Sequence, residues 1–218
     1  MIQTIIFDSY GTLFDVNVLS NKLNNYFPGD GEAINKTWRD KQLDYAFIRE
    51  ITGTYCPFSK VVRDSLHYAV NKHGYELQPY QEIELLQAYL TLPVYPEVKS
   101  VLTQLNQKSC AILSNGSHDM LDPLIINTGL YPFFTRIIST DEIRHYKPNP
   151  LCYHYASLAL ASPKTETLYV SANEFGIAGA NSYGFYTAWI NRDKNPLDRL
   201  DSLPTAVYQD LNGILEWS

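Results

Sequence analysis

The chain has 218 residues, 45% of them hydrophobic, with a formal net charge of −6 and a pI near 5.3. That length can bury a sizeable core, enough for one large domain or a core carrying a smaller insertion. The acidic balance, with no basic stripe, argues against nucleic acid or an anionic membrane as partners.

Taken in chain order, the N-terminus Met1-Ile2-Gln3-Thr4 lacks the basic segment, long apolar run and small-residue cleavage site of a secretory signal, so the cytoplasm is the expected compartment. Thr4 to Phe7 is a short apolar run closed by a polar turn, which reads as a buried parallel strand. From Val16 to Tyr95 the pattern is helical: Trp38-Leu43-Phe47, then Val61-Val62-Leu66-Val70, then Ile83-Leu86-Leu90, with no convincing strand between them. Pro93 and Pro96 mark the chain's return. Helical spacing continues at Val98-Val101-Leu102-Leu105, followed by a strand at Cys110 to Leu113 and a further short run at Ile137-Ile138. Pro150 can open a helix that carries Tyr153-Ala156-Leu158-Leu160, and Leu168 to Val170 and Thr187 to Ile190 complete the apolar runs.

Strand and helix therefore alternate as in a doubly wound α/β fold. The expected architecture is a Rossmann-like parallel sheet core formed by residues 1–15 and 96–218, with residues 16–95 inserted after the first strand as a helical cap resembling a four-helix bundle. No apolar stretch approaches the roughly 18 to 20 residues a membrane span requires. Cys56, Cys110 and Cys152 are odd in number, far apart and without C-x-x-C spacing, which points to buried reduced thiols. His67, His73, His118, His145 and His154 show no ligand spacing.

In an open parallel sheet, ligands bind beyond the carboxyl ends of the strands. The residues found there are Asp8, then Ser114-Asn115-Gly116-Ser117, then Ser171-Ala172-Asn173, with Lys147 in the loop before Pro150. Phe7-Asp8-Ser9-Tyr10-Gly11-Thr12-Leu13, Leu113-Ser114-Asn115-Gly116 and Tyr146-Lys147-Pro148 together resemble the first three motifs of the haloacid dehalogenase superfamily. Thr37-Trp38-Arg39-Asp40-Lys41-Gln42-Leu43 and Trp189-Ile190-Asn191-Arg192 are similar to its (S)-2-haloacid dehalogenase branch in particular.

The resemblance implies a set of roles. Asp8 is the nucleophile: its carboxylate displaces halide from the carbon alpha to the substrate carboxyl, and water then hydrolyses the resulting aspartyl ester. Lys147 keeps Asp8 anionic, since unit charges about 4 Å apart attract by roughly 4 kcal/mol at an effective dielectric near 20. Arg39 reaches from the cap to receive the departing halide. Ser171 and Asn173 position the hydrolytic water. Ser114, Asn115 and the main-chain amides of Ser9 and Tyr10 hold the substrate carboxylate or halide, and Thr12 fixes Asp8. Leu43, Phe58 and Phe175 form an apolar wall, and Tyr153 is a further site residue. The partners implied are a small 2-halocarboxylate and halide, with a homodimer common among such enzymes.

Superfamily phosphatases carry a second Asp two residues after the nucleophile and an acidic pair after a later strand, as magnesium demands. Here those places hold Tyr10 and Ser171-Ala172-Asn173-Glu174-Phe175-Gly176, so no metal and no other cofactor is expected. One departure stands out: the dehalogenase pattern ends in a water-activating Asp where this chain has Gly176. Two readings follow, a working dehalogenase in which another group such as Glu174 substitutes, or an impaired relative that binds small carboxylates or stalls as its own ester. If water activation is limiting, Gly176→Asp is expected to speed ester hydrolysis.

Overall fold

The computed structural model describes residues 1–218. Its order is β1 (Thr4–Phe7), α1 (Leu19–Tyr26), α2 (Gly31–Thr52), α3 (Phe58–Lys72), α4 (Pro79–Tyr89), α5 (Val98–Gln104), β2 (Ser109–Ser114), α6 (His118–Asn127), β3 (Arg136–Ser139), α7 (Pro150–Ala159), β4 (Thr167–Ser171), α8 (Glu174–Tyr183), β5 (Tyr186–Ile190) and β6 (Ala206–Tyr208).

The six strands form one sheet in the order β3-β2-β1-β4-β5-β6, and every neighbouring pair is parallel. From β1 the chain builds outward through β2 to β3, then returns to the other side of β1 for β4 to β6. The reversal lies beside β1, which is the switch point where an open α/β sheet leaves a crevice at its carboxyl edge. Phe7 is level with Ile112 of β2 and Val170 of β4, so Asp8 emerges between the ends of two neighbouring strands.

Alternation along the strands divides the core. Ile5, Phe7, Leu168 and Val170 face the larger apolar cluster, which continues into the cap, while Ile6 and Tyr169 face a smaller one completed by α7 and α8. Between β1 and β2 the helices α1 to α4 pack on one another. Trp38 Nε1 donates to the Val62 carbonyl at 2.8 Å and its ring meets Tyr89 edge-on at 5.1 Å, tying α2 to α3 and α4. The chain leaves and re-enters the sheet unit side by side: Asp15 N–H bonds the Pro93 carbonyl at 2.9 Å and Tyr95 N–H the Leu13 carbonyl at 3.0 Å.

Four elements escape the sequence pattern: α1, α6, α8 and β6. Strand β6 is three residues at the sheet edge, none of them buried, so it carries no apolar run. Helix α6 contains Pro123, and α8 contains two glycines, both poor helix formers. The cysteines are unpaired; burial pushes the Cys110 and Cys152 thiols up to about 12, while Cys56 is half-buried. No helix is long and apolar enough to cross a membrane.

Candidate active site

Asp8 is almost wholly buried, and its carboxylate collects four hydrogen bonds. Oδ1 accepts from the Ser9 amide at 2.8 Å and from Lys147 Nζ at 2.8 Å; Oδ2 accepts from Ser171 Oγ at 3.1 Å and from Asn173 Nδ2. A buried charge survives only when paired and fully hydrogen-bonded, and each oxygen here has two donors. Lys147, only 1% exposed, spends its other two protons on the Leu113 carbonyl at 2.8 Å and Tyr169 Oη at 2.9 Å. The ammonium is thus fixed on three sides by strands β1, β2 and β4.

The loop that carries Lys147 is itself held from two directions. Asn115 Oδ1 accepts from the Lys147 amide at 2.7 Å and its Nδ2 donates to the Lys147 carbonyl at 3.3 Å. From the cap, Glu50 near the end of α2 accepts from the Tyr146 amide at 2.7 Å and from Asn149 Nδ2, with His145 Nδ1 2.8 Å away. Tyr146 Oη reaches back to the Cys56 carbonyl. Burial raises the Glu50 pKa, but the hydrogen bonds from His145, the Tyr146 amide and Asn149 outweigh it and hold the carboxyl below its usual 4.5.

A depressed carboxyl pKa contributes stability above the ordinary value and loses it as pH falls through the folded one. Glu50→Gln should therefore cost roughly 1–2 kcal/mol at pH 7, the worth of charged hydrogen bonds at a partly exposed site. Thermal unfolding of both proteins from pH 7 to pH 3 checks this: the difference should close below about pH 4.5.

A cleft of about 290 Å³ is lined by Arg39, Tyr95, Ala172, Asn173 and Arg192 among others, and Asn173, which bonds Asp8, joins it to that carboxylate. Arg39 Nη1 donates to Gln42 Oε1 at 3.0 Å and makes no ion pair with any carboxylate, so its charge is available to the cleft. Arg192, to which no role was attached, stacks on the Tyr95 ring at 3.6 Å and bonds Glu97 at 2.7 Å and the Thr12 carbonyl at 3.1 Å. Tyr10 Oη is buried without a partner, and its amide makes no bond within the chain. Phe175 meets Phe47 of the cap edge-on at 5.5 Å, Phe58 packs against Tyr146 at 6.3 Å, and Leu43 is half-buried outside the main core.

Several expectations need correction. Thr12 does not bond Asp8: its fully buried hydroxyl accepts from the Ala172 amide at 2.9 Å, stitching the β1 turn to the end of β4. The Ser9 amide is taken up by Asp8, so it is not free for a substrate carboxylate. Ser114 is fully buried, with its hydroxyl paired to that of Ser9 at 2.6 Å and accepting from the Gly116 amide. Asn115 serves the lysine loop. Tyr153 stands behind the site, its hydroxyl donating to the Gly176 carbonyl at 2.9 Å; Gly179 is needed there, because a Cβ would lie 2.5 Å from that hydroxyl. Glu174 faces Asp198 in a hollow with Leu197 and Trp189 and makes no bond to Asp8, Lys147 or Ser171; burial, then the Asp198 carboxyl, raises its pKa.

Two residues of consequence were not anticipated, Glu50 and Tyr169. Tyr169 gave one signal, a polar atom in the middle of a buried strand, which requires a partner.

A strand-end carboxylate at the switch point, countered by a buried lysine and overhung by a helical insertion, defines an α/β protein of the Rossmann-like kind built around a buried aspartate. The model of the haloacid dehalogenase-like hydrolase family matches residues 2–184, and the chain belongs to that family. Within it the chain falls in the (S)-2-haloacid dehalogenase family. It is 34% identical to the (S)-2-haloacid dehalogenase of Pseudomonas putida, over 99% of this chain and 96% of that protein. To haloacetate dehalogenase H-2 of a Moraxella species it is 36% identical, over 98% and 96%. The structure of the Xanthobacter autotrophicus L-2-haloacid dehalogenase with chloropropionic acid covalently bound superimposes with a TM-score of 0.93 at 33% identity, covering 99% of this chain and 98% of that one.

Proposed function

We propose that the protein hydrolyses small (S)-2-haloalkanoic acids to (R)-2-hydroxy acids through an ester on Asp8, without a metal. The observation that carries this is the four-donor cradle around a desolvated Asp8 beside a cleft that Arg39 enters from the cap. An oxygen of Asp8 attacks the halogen-bearing carbon from the face opposite the halide, which inverts that carbon; halide leaves with the bonding electrons toward Arg39. Water then attacks Cγ of Asp8, so the new carbon–oxygen bond of the product is untouched and the inverted configuration is kept.

The donor set supports the metal-free reading. The four side-chain and main-chain groups bonded to Asp8 are all donors, none a carboxylate, and no group of three His, Cys, Asp or Glu side chains is placed to hold a metal ion, so a hard dication would lack its oxygen ligands. The free Tyr10 amide is suited to the substrate carboxylate, and Leu43, Phe47 and Phe175 to its alkyl group and halogen, excluding water from the nucleophile. Asn173 and Ser171 hold both Asp8 and the water that follows. Ser9, Thr12, Ser114, Asn115, Phe58 and Tyr153 fix the geometry of these groups.

The division into a core of residues 1–15 and 96–218 and a cap of residues 16–95 is supported by the paired crossing of the chain at Asp15 and Tyr95. A cytoplasmic homodimer is the expected form, and light scattering tests its stoichiometry.

The test of activity is incubation with (S)-2-chloropropionate in EDTA, following chloride release, product chirality and intact mass. Continuous chloride with (R)-lactate supports the reading. One chloride per chain with a persistent Asp8 adduct would instead mark a stalled relative, and phosphatase activity with magnesium in place of halide release would refute the reading.

A further inference from the structure

Gly176 stands where the family resemblance puts a water-activating acid, and the space such a side chain would use is bordered by two hydroxyls. A Cβ at Gly176 would lie 3.1 Å from Tyr169 Oη and 3.2 Å from Ser171 Oγ, tighter than ordinary van der Waals contact. Tyr169 is fully buried, accepts from Lys147 Nζ at 2.9 Å, and packs edge-on against Tyr153 at 5.5 Å. Lys147 bonds one oxygen of Asp8 and Ser171 the other. The Tyr169 phenol therefore touches the group holding one side of the nucleophile and borders the group holding the other. Burial first, then the Asp8 charge, push its pKa well above the usual 10.0, so it stays protonated and acts as a hydrogen-bonding group.

We propose that Tyr169 is a positioning residue for hydrolysis of the Asp8 ester, occupying the place left by the missing acid at position 176; the inference rests on the dehalogenase reading above. In this step the water oxygen bonds to Cγ of Asp8 and the bond from Cγ to the alkyl oxygen breaks, its electron pair staying on that oxygen. One water proton ends on the alkyl oxygen, making the product hydroxyl; the other is released to solvent, and Asp8 is again a carboxylate. Tyr169 contributes no atom. By accepting from Lys147 it keeps the ammonium aimed at the ester, where negative charge builds on the acyl oxygen during attack. Beside Ser171 it closes the site on the side where position 176 has no side chain.

The experiment compares wild type, Tyr169→Phe, Gly176→Asp and the double variant on (S)-2-chloropropionate, measuring chloride and, after quenching, the fraction of chain carrying the adduct. Wild type should turn over with little adduct. Tyr169→Phe should slow adduct decay on the order of tenfold or more, giving a chloride burst and accumulated adduct. In the Gly176→Asp background the same change should cost little, because the carboxylate takes over and the phenol only crowds it; this non-additivity is what a merely structural tyrosine would not produce.

A folded Tyr169→Phe protein that clears its adduct as fast as wild type overturns the proposal, as does an equal slowing in both backgrounds. Should Tyr169→Phe not fold, Gly176→Ala carries the test: its Cβ displaces the phenol and should also slow adduct decay, and unchanged decay refutes the idea. Wild type that yields neither chloride nor adduct is a separate outcome, which removes the dehalogenase reading and this inference with it.

Discussion

Asp8→Asn protein mixed with (S)-2-chloropropionate should release no chloride above background and carry no adduct in its mass spectrum. The expected loss is at least about four orders of magnitude, the scale seen when an enzyme loses its nucleophile. The amide can still occupy the cradle, since one oxygen can accept from part of the donor set that serves Asp8. It is neutral, however, and has no lone pair on nitrogen basic enough to displace halide. Removing the charge also leaves the Lys147 ammonium buried and without its counterion. Unfolding by urea should show lowered stability alongside lost turnover. Turnover within tenfold of wild type would mean that Asp8 is not the attacking group.

Lys147→Met should be nearly as damaging to activity and more damaging to the fold. Methionine fills much the same volume, but it leaves the Asp8 carboxylate and the Leu113 carbonyl without the donor that each now has at 2.8 Å. Breaking a buried ion pair by removing one partner typically costs about 3–5 kcal/mol. The donor that aims the Asp8 oxygen goes with it, so chloride release should fall together with the melting temperature. Replacing both residues at once, Asp8→Asn with Lys147→Met, should recover part of the stability without recovering activity. Equal melting temperatures for the single lysine variant and wild type would contradict the ion pair's role.

How much of this was readable in the residues depends on whether the cause is local. Asp8, Lys147, Ser171 and Asn173 were legible because each follows a strand or sits in a loop whose position the α/β pattern fixes, and the structure brings all four together. Arg39 was legible from the cap motif, and it does line the cleft. The jobs of Thr12 and Asn115 were not, since their partners, Ala172 and the backbone of Lys147, become neighbours only when the sheet assembles; the Ser9 amide turns onto its own neighbour Asp8, a local geometry that residue type does not announce. Tyr153 has the residue type of a substrate contact, yet it lies on the α7 side of the sheet, within the smaller core. Among the elements, the central strands announced themselves because burial on both faces demands an unbroken apolar run, whereas β6, at the edge, is under no such demand.

The grip of Glu50 on the residues flanking Lys147 gives the helical unit a second task besides roofing the cleft. A side chain more than ninety positions away in sequence sets where the countercharge sits, so any swing of α2 that carried Glu50 off would loosen the ammonium and unsettle the attacking oxygen together. The gap lined by Arg39 and Tyr95 already opens the cleft without any such swing.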